Sequence, residues 1–291
     1  MVDSGSVVYL TLKVNVAIIS GAVNAIRMAN QLSGPLMTKI SFSKLLPSAA
    51  FPSWLTEWME RREIRVWGAA DLRGFSTLYY KEGHCFPFAV SFAVPMDPYV
   101  MLNIRKGPNQ KYAEEYSEIN RLINKLSEAL AHKIKSRGFR AKSLAASERT
   151  DTVGIKGEFP HKTAATRAGL GWIGRNCQLI TREFGPWIRL GTVFTDLEFP
   201  CGHPAERDFC GLCTRCVEAC PAKALTGNAW IPGIPREEIL DVVSCDQWKK
   251  EHYFQYNKGH NCGICSAVCP YGLKLLKTVP DNKMIINEGK K

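Results

Sequence analysis

The sequence has no uninterrupted apolar run long enough to cross a bilayer. Its one extended hydrophobic stretch near the start, residues 6–26, is broken by Lys13, Asn15 and Asn24, and a span needs about 18 residues without charge. The basic leader of a signal peptide is missing as well, because no Lys or Arg precedes Lys13. These absences point to a cytoplasmic protein with no membrane partner. A secreted disulfide framework is also excluded: the cysteines number eleven, an odd count, and eight of them crowd between Cys210 and Cys269, which suits metal ligands in a reducing compartment. Nor is there a block of clustered basic residues. The formal charge is +11, yet Lys and Arg are spread along the chain as on an ordinary solvated surface, which weakens a nucleic-acid reading.

With 45% hydrophobic residues over 291 positions, the chain can bury a sizeable core. Residues 1–50 carry little usable periodicity and are interrupted by Pro35 and Pro47, so they read as a loosely attached leader. From residue 53 the signals sharpen. Trp54, Leu55, Trp58 and Met59 sit at helical spacing behind Ser53 as N-cap, and residues 64–67 alternate like a strand. A buried strand is expected over residues 86–94, closed by Pro95. The strongest helical pattern follows, with Tyr112, Tyr116, Ile119, Ile123, Leu126, Leu130 and Ile134 on one face and Gly138 as its stop. Strands are expected over residues 139–144, 177–181 and 188–194, with a short helix over 161–168 ended by Gly169. Residues 51–200 therefore read as an α+β unit. Beyond residue 200 the composition turns to cysteine, glycine and proline, which marks residues 201–291 as a small second domain held by metal.

Cys210, Cys213, Cys216, Cys220 and Pro221 reproduce the C-x2-C-x2-C-x3-C-P run of bacterial two-cluster ferredoxins. In that arrangement the first three cysteines wrap one cubane and the fourth points to its neighbour. The required second half is present as Cys262, Cys265, Cys269 and Pro270, one ligand short, and Cys245 is the free candidate nearby. The expected ligands are therefore Cys210, Cys213, Cys216 and Cys269 for the first 4Fe-4S cluster, and Cys220, Cys245, Cys262 and Cys265 for the second. Zinc competes, since C-x2-C pairs also build tetrahedral zinc sites, but the doubled C-P ending favours iron–sulfur. Cys85, Cys177 and Cys201 share no ligand spacing and read as small buried hydrophobes. Two clusters lower the formal charge by about 4, leaving a weaker basic surface.

Three stretches together resemble a known family: residues 164–176 (AATRAGLGWIGRN), residues 185–196 (GPWIRLGTVFTD), and the split cluster motif with Cys245 between its halves. Over about residues 51–277 the sequence is similar to epoxyqueuosine reductase and its shorter relatives with a double 4Fe-4S domain, which in turn resemble cobalamin-dependent reductive dehalogenases. The resemblance implies a nitroreductase-like, cobalamin-reductase-type α+β domain followed by a small two-cluster ferredoxin-like domain. It implies a reductase in which clusters, fed by an external donor such as a ferredoxin or flavodoxin, reduce a cobalamin held by residues 51–200 beside the first cluster. A flavin is the alternative two-electron acceptor, and an electron-transfer partner protein without its own catalytic site is the alternative function.

Gly169, Leu170, Gly171, Trp172 and Gly174 are the candidate wall against such a flat cofactor, since glycine permits close approach; a tight turn with a core tryptophan is the competing reading. Epoxyqueuosine reductases carry a proton-donating aspartate upstream of this run. Here the segment is residues 151–162 (DTVGIKGEFPHK), and no residue matches that aspartate cleanly. Asp151, Glu158 and His161 are the candidate acids, against plainer roles as a turn residue, a helix-terminus carboxylate and a cap. The reductases continue past the clusters into a helical-repeat region that helps hold tRNA, whereas 22 residues follow Cys269 in this sequence. The substrate is therefore open between a small molecule and a modified nucleoside, with tRNA undecided.

Eight ligands for two cubanes predict about eight iron and eight sulfide per chain in anaerobically prepared protein. Iron and sulfide analysis checks this: zinc, or about half that iron, would refute it, and Cys245→Ala should remove one cluster while leaving the other.

Overall fold

The computed structural model describes residues 51–75 and 86–278, which belong to one compact unit. The leader expected over residues 1–50, and Cys85, lie outside the described residues. The architecture is α+β. Helix α1 (Ser53–Glu60) leads into strand β1 (Val66–Asp71), and after β2 (Phe88–Pro95) come α2 (Pro98–Leu102), the long α3 (Gln110–Lys135) and β3 (Ala141–Leu144). Helix α4 (His161–Arg167) precedes a hairpin of two-residue strands, β4 (Trp172–Ile173) and β5 (Leu179–Ile180), and the sheet closes with β6 (Ile188–Thr195). The four longer strands form one sheet in the order β1-β2-β6-β3, with every neighbouring pair antiparallel.

Strand β2 is buried at its first six positions instead of alternating, because both faces of the sheet are covered. Val90 and Phe92 face Leu55, Met59, Ile123, Leu130 and Ile134 from α1 and α3. Ala89 and Ala93 face the other way, against Ala164 and Ala165 of α4. The alanines let α4 lie close to the sheet, and a Cβ on Gly68 of β1 would sit 2.6 Å from the Ala168 carbonyl at the end of that helix. Helix α3 is stabilised at its start by Asn109, whose side chain accepts the Tyr112 N–H, and at its end by His132, Lys133 and Lys135.

Three local expectations need correction. Ser53 is not an N-cap: it is the first helical residue, preceded by Pro52, and no side chain caps the helix. The strand expected over 64–67 begins at Val66 and runs on to Asp71, because Ile64 is drawn into the turn after α1, where its N–H bonds to the Met59 carbonyl. The strand expected over 177–181 is the two-residue β5, paired with Trp172 and Ile173.

After residue 200 regular structure is sparse: α5 (Arg215–Glu218), α6 (Val242–His252), α7 (Ile264–Ala267) and α8 (Pro270–Leu273). Trp187 anchors this segment to the sheet unit. It is fully buried, its indole N–H donates to the Ser266 carbonyl at 2.8 Å, and Gly272 lies so close that a Cβ would meet the indole ring at 2.4 Å.

Within the sheet, a Cβ on Gly191 would approach the fully buried Phe92 ring to 2.2 Å. Gly191→Ala should therefore destabilise the protein by about 1–3 kcal/mol through overpacking. Thermal unfolding checks this, with Leu122→Ala on the exposed side of α3 expected to change stability by no more than about 0.5 kcal/mol.

Candidate metal centre and adjoining cavities

The cysteines are gathered by the short helices of the last third. Cys210 and Cys213 flank a turn closed by the Cys213 N–H to the Cys210 carbonyl at 3.2 Å. Asp208 stiffens that turn by accepting from the Cys210 and Trp230 N–H groups. Cys245 rides on α6, whose start is capped by Asp241 accepting from Val243 and Ser244. The next residue, Asp246, is buried among Arg149 at 2.6 Å, Lys250 at 2.8 Å and Lys249 at 3.4 Å. Burial opposes its charge, but these cations hold its carboxyl far below the usual carboxylate range. This cluster ties the helix carrying Cys245 to the loop after β3.

The sulfurs fall into two neighbourhoods. The Cys216 thiol is pushed up to about 11 by burial and by Cys210, Cys269 and Cys213, and Cys269 is raised to about 11 by burial, with Cys210 and Cys213 adding to it. Cys262 is raised to about 11 by burial and by Cys245 and Cys220. Burial raises Cys265 further, helped by Cys262, Cys245 and Cys220, with Cys216 the one neighbour drawn from the other group. Such crowding keeps thiols neutral until positive charge arrives, which is the condition a metal cluster relieves. Backbone N–H groups already face several sulfurs: Arg175 towards Cys210, Ile264 towards Cys262, Tyr271 and Gly272 towards Cys269. Among the described residues no three His, Cys, Asp or Glu side chains converge to hold a single metal ion.

All four cysteines of the second group, Cys220, Cys245, Cys262 and Cys265, line one cavity of about 210 Å³; none of the first group does. Asn261, 3% exposed, borders it with both its amide oxygen and nitrogen unbonded. A second cavity of about 250 Å³ shares Gln178, Pro186, Ile188 and Arg189 with the first, and adds Glu158, His161 and Lys162. Tyr116 from the first cavity and Ser147 from the second meet at the junction, with the Tyr116 hydroxyl 3.1 Å from Ser147 Oγ. The Arg189 guanidinium lies 3.9 Å from the Tyr116 ring centroid and donates to Ser147 and Asn120. Burial alone would raise the Tyr116 hydroxyl, but Arg189, Ser147 and Lys249 bring it below the usual tyrosine value. No local sequence signal marks this group, since α3, β6 and the loop after β3 deliver its members from distant positions.

The candidate acids separate. Glu158 lines the second cavity and pairs with Lys142 at 2.5 Å. His161 lines it too, but both ring nitrogens are engaged, with Ala145 and Thr192. A carbonyl only accepts, so Nε2 carries the proton and Nδ1 accepts from the Thr192 hydroxyl. Asp151 is exposed and accepts from the Val153 and Gly154 N–H groups of its own turn. The candidate wall is packed against protein: a Cβ on Gly171 would meet the Ile180 carbonyl at 2.1 Å, on Gly174 the Ile180 side chain at 2.3 Å, and on Gly169 the His203 carbonyl at 3.3 Å. Neither these glycines nor Leu170 or Trp172 line the two cavities. Trp172, 3% exposed, lies instead against Cys210 and Cys269; its indole N–H is directed at Cys210 without completing a hydrogen bond. Cys177 is buried, and Cys201 packs beside the core of α1 and α3.

Residues 209–272 match the family described as 4Fe-4S double cluster binding domain, so the chain carries a domain of that kind. It resembles epoxyqueuosine reductases: it is 37% identical to the one from Listeria monocytogenes over 117 residues, which is 40% of this chain and 30% of that protein. It is 38% identical to the tetrachloroethene reductive dehalogenase of Dehalobacter restrictus over 118 residues, 37% of this chain and 21% of that one. The chain thus matches less than a third of the length of these curated relatives. Among solved structures its fold is similar to the catabolic reductive dehalogenase NpRdhA in complex with 3-bromo-4-hydroxybenzoic acid, with a TM-score of 0.57 and 20% identity over 74% of this chain and 31% of that one. It is also similar to an epoxyqueuosine reductase solved with an epoxyqueuosine-modified tRNA stem loop, with a TM-score of 0.50 and 20% identity over 76% of this chain and 66% of that one. No helix among the described residues is long and apolar enough to cross a membrane.

Burial holds the His161 imidazole down at about 4, below its unfolded value of about 6.5. The unfolded chain therefore binds more protons between these values, and His161 lowers stability as pH falls from about 6.5 to about 4. His161→Gln should flatten that part of the stability–pH profile, measured by denaturant midpoints; an unchanged slope would show that His161 does not set it.

Proposed function

We propose that this chain is a two-cluster iron–sulfur reductase of the cytoplasm, in which Cys210, Cys213, Cys216 and Cys269 hold the entry cluster and Cys220, Cys245, Cys262 and Cys265 the exit cluster. The observation that carries this reading is that all four cysteines of the second group line one cavity together with Tyr116, and that this cavity adjoins another bordered by Glu158 and Arg189. Residues 51–200 hold the electron acceptor there, beside the second cluster instead of the first as the resemblance implied, as a nitroreductase-like unit, and residues 201–291 hold the clusters. The acceptor is a cobalamin, with flavin as the alternative. Clusters relay single electrons, and a corrinoid or flavin gathers the two that a bond reduction needs.

The chain's own residues supply binding and protons. Arg189 places a fixed positive charge at the junction, and the unbonded Asn261 amide offers a donor and an acceptor beside the second cysteine group. Tyr116, with its hydroxyl made more acidic by Arg189 and Ser147, is a group facing the first cavity that can deliver a proton, and Glu158, paired with Lys142, is a carboxylate in the second that can accept one. His161, neutral and engaged at both nitrogens, shapes the wall, and Asp151 orders a turn. Gly169, Gly171 and Gly174, with Leu170 and Trp172, support the cofactor from behind, by fixing the β4–β5 hairpin that carries Gln178. The substrate is a small molecule or modified nucleoside. The similarity to a reductase solved with a tRNA stem loop makes tRNA the macromolecular candidate.

Anaerobic protein mixed with cob(II)alamin should alter the cobalt EPR signal, and Ala145→Trp, which fills the second cavity from an exposed position, should abolish that change with both clusters intact. No change with the unsubstituted protein and no retained corrinoid would remove the cobalamin claim and leave an electron-carrier protein as the better account.

A further inference from the structure

The first cysteine group lines neither of these cavities, and its surroundings are unusual. Leu212, between Cys210 and Cys213, is 97% exposed, and the neighbouring Phe209 is 41% exposed. An apolar side chain held almost wholly in water on a cluster-binding loop has no role in packing the chain itself. Beneath it lies a compact aromatic group. Trp172 meets Phe209 and Tyr271 edge-on, with ring centroids 5.1 Å and 4.9 Å away, and the Tyr271 hydroxyl donates to the Phe209 carbonyl at 3.0 Å.

Cations ring this apolar spot. The Arg182 and Arg207 guanidinium groups lie 5.7 Å and 5.5 Å from the Phe209 ring centroid. Arg175 donates to the Gly211 carbonyl at 2.7 Å, and the Lys274 ammonium sits 4.6 Å from the Tyr271 ring. Of the nearby acids, Asp208 turns both carboxylate oxygens inward to backbone N–H groups, Glu218 accepts from the Thr214 hydroxyl, and the exposed Glu206 beside Arg207 offsets only one of the four cations. The face therefore has an apolar centre and a positive rim, the pattern by which small, transient redox contacts are recognised and steered.

We propose that the Phe209–Leu212 face is the docking surface for a small acidic one-electron carrier protein. The proposal rests on the two-cluster reading above and adds the entry point: the carrier's negative rim meets Arg175, Arg182, Arg207 and Lys274, and one electron passes from its reduced centre to the oxidised cluster held by Cys210, Cys213, Cys216 and Cys269. The carrier is oxidised and the cluster reduced by that one electron, with no bond made or broken.

Stopped-flow reduction of the cluster-loaded protein tests this, with flavodoxin hydroquinone as the acidic carrier and reduced methyl viologen as a small cationic control. Arg182→Glu combined with Arg207→Glu should slow reduction by flavodoxin at low salt about tenfold or more. Added salt should slow the unsubstituted protein but not that variant. Leu212→Asp should slow flavodoxin similarly, while the viologen rate in every variant stays equal or rises. Flavodoxin reducing these variants at the unsubstituted rate, or a salt-independent rate in the unsubstituted protein, would overturn the docking face. A chain that viologen cannot reduce would overturn the two-cluster reading itself.

Discussion

Eight sulfurs packed into one short segment cannot all carry charge unless positive charge is placed among them, and this constraint organises the last third of the chain. Burial and mutual repulsion raise Cys216, Cys262 and Cys269 well above an ordinary thiol. The segment has little apolar interior of its own: α5, α7 and α8 have four residues each. Its order must come from metal–sulfur bonds and from what it leans on. What it leans on is Trp187, whose burial and bond to Ser266 fasten it to the sheet unit. The arrangement is a mutual dependence, in which the sheet supplies the surface the cysteines lack and the cysteines close one end of the cavity the sheet provides.

The same constraint separates what could be read in the sequence from what could not. The spacing of the cysteines was legible because a cubane binds a tight loop, and the family match over residues 209–272 agrees with it. Helix α3 was legible because Ile123, Leu130 and Ile134 return at helical spacing to one buried face, and β2 because an unbroken apolar run signals a sheet covered on both sides. The two-residue strands β4 and β5 fall below any periodic signal. Glycine was ambiguous in principle: a missing side chain shows that something comes close, not what. At Gly171 the neighbour is the Ile180 backbone. Tyr116, Arg189 and Ser147 left no trace, since only the packing of α3 across β6 brings them together.

Electrostatics at that junction follow from placing one arginine over a tyrosine ring and beside a serine hydroxyl. Arg189 stacks over Tyr116 and holds Ser147, and Ser147 adopts a positive φ of 62° to present its hydroxyl, a strained choice for a residue with a side chain. The same cation helps keep His161 uncharged, behind the larger effect of burial. One fixed charge thus biases a tyrosine towards releasing its proton and a histidine against taking one.

The Asp246 cluster bears on how such a chain would be matured. Arg149, Lys249 and Lys250 grip Asp246 through charges that do not involve iron, so the helix bearing Cys245 is moored before any cofactor arrives. As a proposed ligand, Cys245 stands 17 positions ahead of Cys262, and without these ion pairs it would have to be found by a wandering loop. Moored, it waits as a fixed post over which the Cys262–Cys265 segment closes on an incoming cluster. Assembly becomes a latch closing on a standing catch, and the lone cysteine, which looks like a gap in the motif, is the part of the site that can be ready first.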